Sequence, residues 1–160
     1  MSQEFEDLLR QCHYAQQKQK RLAAEIKPEW DVLKGLVSQL AADNKGIGED
    51  RFRWSKTASG QPSLVLGQVA ATFSVLADRS GTPQSCKVRF SRKDGVSVIK
   101  PLLADQTWSL TPEILKGEFA WAIREVGQVF SPSQLAEEIA TELTRYHLSY
   151  EKQGQKAFGT

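Results

Sequence analysis

The chain has 160 residues (17.9 kDa), with 40% hydrophobic and 25% charged side chains. That is the usage of one ordinary globular domain and excludes a collagen, a low-complexity chain or a disulfide scaffold. Twenty-one Lys and Arg against nineteen Asp and Glu leave a net charge of +2; no uncharged apolar run approaches the ~20 residues of a membrane span. The acidic start, Met1 to Asp7, lacks an apolar signal core, so the expected setting is cytoplasmic, with no membrane partner.

Residues 3–26 read as an amphipathic helix. Phe5, Leu8, Cys12, Ala15, Leu22 and Ile26 follow steps of three and four, with Gln19 in the remaining slot, the spacing of a helical stripe or a coiled-coil seam. Pro28 predicts a break near Lys27. A second helix is then expected from Pro28 to about Asp43, with Glu29 and Asp31 in its first turn, where the helix dipole favours anions. Trp30, Leu33, Val37 and Leu40 continue the stripe, and Asn44 to Gly48 supplies a stop.

The period then changes from 3.6 to 2. Phe52 and Trp54 alternate with Arg51 and Arg53. Leu64 to Ala77 reads as one strand, with Gly67 as a bulge or bend within it. Cys86, Val88 and Phe90 alternate with Lys87 and Arg89. Asp94-Gly95 predicts a hairpin turn, with Val96 to Lys100 returning and Pro101 limiting that strand. Thr107 to Leu110 reads as a further short strand, and Thr111-Pro112-Glu113 as a single helical turn. Residues 118–130 fit either period, and the bounding Gly117 and Gly127 favour a strand. Ser131-Pro132-Ser133-Gln134 has the form of a capping box, with Phe130 and Leu135 at hydrophobic-staple spacing. It predicts a final helix over about 132–150.

The fold expected is α+β: an N-terminal helical arm of two helices broken near Pro28, an antiparallel meander of four to five strands, and a C-terminal helix packed on the sheet. Its divisions are an arm over 1–45, a domain over 49–150 and a flexible tail over 151–160.

Chemistry is sparse. Cys12 and Cys86 sit at apolar positions and read as buried free thiols. With His13 and His147 they are the only Cys and His residues, and they lack the paired spacing of a zinc site. No GxSxG, HExxH, GxxxxGK[ST] or GxGxxG occurs. The sequence therefore predicts no catalytic residue, metal or cofactor.

Charge is unevenly spread. Residues 1–50 carry seven Lys/Arg and nine Asp/Glu, residues 51–100 nine and two, and residues 101–160 five and eight. The sheet is the cationic part, and Arg51, Arg53, Lys87 and Arg89 share one face by alternation. They form a candidate surface for nucleic acid or an acidic protein. The aromatics fall on the opposite face, unlike a single-strand binder that stacks bases among its cations. Trp54, Phe73, Phe90, Trp108 and Trp121 lie there, as core or as the lining of a small-ligand pocket.

The favoured function is a non-catalytic interaction or adaptor domain that forms a homodimer or binds another protein. At ~1.5 Å per residue, residues 3–26 span about 36 Å, against about 20 Å for an ordinary strand. Part of the stripe Phe5, Leu8, Cys12, Leu22 and Ile26 should therefore seek a partner.

Overall fold

A computed structural model describes residues 2–43, 51–81, 83–93 and 104–157. The order is a helix α1 (Gln3–Asp43), strands β1 (Phe52–Lys56), β2 (Pro62–Leu66), β3 (Val69–Ala77), β4 (Pro83–Arg92), β5 (Gln106–Leu115), β6 (Glu118–Ile123) and β7 (Gln128–Phe130), and a helix α2 (Pro132–Ala157). The strands form one antiparallel sheet in strict sequence order, β1 to β7. The fold is α+β, with a helix at each end and both helices on one face of a meander.

Among the described residues the strands are seven rather than four or five. Leu64–Ala77 is two strands, because Gly67 makes a turn and not a bulge. Its φ of +58° suits the first central position of a two-residue type II′ hairpin, and Leu66 pairs with Val69 across it. The remaining gain lies at 106–130, where β5, β6 and β7 form. Lys116 and Gly117, with φ of 52° and 80°, both take the positive φ of a type I′ turn. Pro112 does not start a helical turn. It lies inside β5 opposite Trp121, beyond Leu110, where the pairing of β5 with β4 ends. A missing N–H is tolerated where no second neighbouring strand requires it. The expected stop over 44–48, the turn at Asp94-Gly95, the strand 96–100 and Pro101 lie outside the described residues.

Pro28 does not break α1 into two helices. The helix runs unbroken through it for 41 residues. An interior proline removes the bond to the carbonyl four residues back and costs roughly 3 kcal/mol. Here that carbonyl belongs to Ala24, and both residues are on the exposed side of the helix, so water can satisfy it. Ile26, Trp30, Leu33, Val37 and Ala41 hold the surrounding turns against the sheet. The second half of the expected arm is thus part of the domain core.

That core lies between the sheet and the two helices. Leu64, Leu66, Val69, Ala71, Phe73, Cys86, Val88, Phe90, Trp108, Leu110, Phe119, Trp121 and Ile123 meet α1 and the α2 residues Leu135, Ile139, Leu143 and Tyr146. The capping box forms as its residues dictate. The Gln134 N–H donates to Ser131 Oγ at 3.3 Å, and the Ser131 N–H donates to Gln134 Oε1 at 3.2 Å. The tail predicted over 151–160 is instead helical through Ala157. No helix among the described residues is long and apolar enough to cross a membrane.

Candidate functional site

Ser2 opens α1 as its N-cap: its hydroxyl accepts the Phe5 N–H at 3.2 Å. From there to Glu25 no side chain is buried. Lys18 meets Glu113 at 3.6 Å, and Arg21 Nη2 donates to the Gly117 carbonyl at 2.8 Å. Both contacts reach the β5–β6 hairpin, which is the last support under the helix. Residues 3–17 project beyond it, a rod of about 22 Å.

Among the described residues, this rod carries the largest concentration of exposed large apolar side chains. Phe5, Leu8, Leu9 and Tyr14 keep 48%, 52%, 51% and 69% of their surface in water. Isolated exposed apolar residues are ordinary, and Tyr14 lies on the opposite side of the helix, but Phe5, Leu8 and Leu9 share one face and together mark an interaction surface. Of the five residues expected at an interface, Phe5, Leu8 and Cys12 are exposed. Ile26 is buried in the chain's own core, and Leu22 is half-buried against it. Those two are therefore not free to meet a partner, because the sheet reaches further along the stripe than the length argument allowed. Leu9 and Tyr14 were not singled out, although Leu9, four residues after Phe5, borders the same stripe.

The two cysteines differ. Cys86 is buried as expected, and desolvation pushes its thiol up to about 11, only partly offset by Lys34. Cys12 is exposed, since the sheet does not extend beneath its turn. His13 Nε2 lies 3.0 Å from Gln17 Nε2 on the exposed arm, whereas His147 is buried in α2. No group of His, Cys, Asp or Glu among the described residues is placed to hold a metal ion.

The cationic residues divide into two pairs on the sheet's outer face. Arg51, Arg53, Lys87 and Arg89 are all exposed. Arg89 lies between Thr72 and Thr107, and Lys87 between Ser74 and Ser109. Arg53 stands opposite Val65 on β2. At about 4.8 Å per strand, β1 and β4 are about 14 Å apart. The residues in the interval, Ser63, Val65, Ala70 and Thr72, are buried. A cleft of about 100 Å³ opens beside them, lined also by Ser55, Thr57 and Lys93.

The aromatic candidates are on the covered face and pack on one another. Trp54 meets Phe73 at 5.5 Å, Phe90 meets Trp108 at 4.8 Å, and Trp30 meets both Phe73 and Trp121 at 5.8 and 6.0 Å. Such pairs add roughly 0.5–1.5 kcal/mol beyond the area they bury. The larger grooves, about 380 and 270 Å³, lie elsewhere, along the α1–α2 seam around Leu40 and Glu137.

Fold and surface together define an α+β protein with a two-helix-backed meander sheet and a projecting helical arm. Compared with family models, curated proteins and solved structures, the chain matches none of them.

Proposed function

We propose that this chain is a non-catalytic interaction or adaptor domain that self-associates through the first part of α1. One observation carries the reading: Phe5, Leu8 and Leu9 are about half exposed on a helix that buries nothing before Ile26. Burying apolar area yields about 25 cal/mol per Å², so these side chains gain most from a partner surface. Light scattering on a size-exclusion peak tests it. The expected mass is twice 17.9 kDa, returning to a monomer with Leu8→Asp while the sheet stays folded. A monomer at high concentration, or a Leu8→Asp dimer, would overturn the reading.

A second reading rests on the exposure of Arg51, Arg53, Lys87 and Arg89 together on the outer face. This surface would bind a polyanion, either nucleic acid or an acidic protein. Such binding weakens steeply with salt because counterions are released. Arg53→Glu with Arg89→Glu should abolish it. Salt-independent binding, or none, would exclude it.

A further inference from the structure

We propose that two arms pair antiparallel over residues 3–17, related by a two-fold axis near residue 10. This rests on the arm being the self-associating element, and adds which way the second copy lies. The usable length is set by the contacts of Lys18 and Arg21 with the β5–β6 hairpin, which block a partner helix beyond about residue 17.

Within that length the seam is Phe5, Leu8, Cys12 and Ala15. In an antiparallel pair the layers mate so that Phe5 of one copy meets Ala15 of the other, and Leu8 meets Cys12. Each layer then joins a larger side chain to a smaller one, as close packing favours. The Leu9 residues of the two copies approach at the axis. The alternative mating of Phe5 with Leu22 fails, because Leu22 already packs on its own core.

Charge selects the same direction. The outer turns carry Glu4, Glu6 and Asp7 against Arg10, while the inner turns carry Lys18, Lys20 and Arg21. Antiparallel arms set the acidic first turns of each copy against residues 13–16 of the other, which carry no acidic side chain, rather than against one another. Parallel arms would set acid on acid and Phe5 on Phe5. The antiparallel pair also opposes the two helix dipoles.

Zero-length thiol bridging distinguishes the two directions. In the antiparallel pair, two Cys12 residues are offset by about 6 Å along the helices and also separated across the seam, beyond the roughly 7 Å Cα limit of a disulfide. A cysteine at position 8 is a layer mate of Cys12 instead. The experiment compares wild type, Leu8→Cys with Cys12→Ser, and Leu8→Cys alone, each treated with copper-phenanthroline in air. Cys86 is buried with its thiol held near 11, so it stays silent. Before oxidation each variant should show the dimer mass. Only Leu8→Cys alone should then shift to a covalent dimer on non-reducing electrophoresis, with the bridge mapped between positions 8 and 12. Bridging of all three proteins would show parallel arms, and bridging of none in a dimeric sample would exclude this register. Either result overturns this proposal and leaves the arm as the interface. A monomer before oxidation would overturn both.

Discussion

The Glu125 carboxylate sits in the β6–β7 turn and accepts the Ser109 N–H at 2.7 Å, while the Arg124 N–H donates to the Ser109 carbonyl at 3.0 Å. Desolvation raises its pKa, but the N–H and hydroxyl of Ser109, its own N–H and Arg124 outweigh that, leaving it below its ordinary 4.5. A carboxyl depressed in the fold contributes stability above its unfolded pKa, and that contribution is lost as pH falls through the folded value. The Ser109 amide resonance, followed by NMR from pH 7 downward, should therefore titrate with a midpoint below 4.5, and Glu125→Gln should remove the titration. In the interior, Leu143 is fully buried between α2 and the sheet. Leu143→Ala removes a large buried side chain and should cost about 2–5 kcal/mol, a fall of roughly 10 °C in Tm by calorimetry.

At the level of elements, Pro28 and Gly117 act in opposite senses. Pro28 weakens α1 within its sheet-packed part, between the buried Ile26 and Trp30. Pro28→Ala should restore a backbone bond and slow amide exchange over residues 24–32 at least tenfold, since an interior proline costs roughly 3 kcal/mol. Gly117 is required by its φ of 80°, although nothing within 4 Å would obstruct a side chain. Gly117→Val should cost about 1–2 kcal/mol from backbone strain alone, measured by urea unfolding, and should loosen the Arg21 contact to its carbonyl. These elements also separate what the residues disclose from what they conceal. The α2 start was legible because a capping box is a local hydrogen-bond exchange among four residues. The alternation of Cys86, Val88 and Phe90 placed β4 for the same local reason. The Gly67 turn was not legible, since apolar residues run up to Gly67-Gln68 from both sides and a single glycine inside a strand pattern also reads as a bulge or bend. Continuity through Pro28 was hidden because it depends on where the sheet lies. Of the candidate interface, Phe5, Leu8 and Cys12 were readable as a stripe. The burial of Ile26 was not, because the reach of the sheet depends on the pairing of seven strands.

For the whole molecule, the meander pairs each strand with its neighbour in sequence, and the sheet ends on short edges. β1 has five residues and β7 three, too short to template much pairing with another chain. Edge-to-edge sheet growth is thereby disfavoured, which leaves the arm contact proposed above as the route by which copies would associate. The arm and the sheet should therefore respond independently to substitution. Leu8→Asp should leave the unfolding free energy of the core, measured by urea titration, unchanged within about 0.5 kcal/mol, whereas Trp30→Ala, which strips the ring meeting Phe73 and Trp121, should lower it by about 3–5 kcal/mol. The positions of the tryptophans add an optical consequence. All four, Trp30, Trp54, Trp108 and Trp121, lie after Ile26, and three of them are buried. Indole emission thus reports the core and is blind to residues 3–17, while helical ellipticity reports both. Fraying of the free rod will appear in circular dichroism as a gradual early loss that emission does not follow, so the gap between the two curves measures how firmly the rod is held.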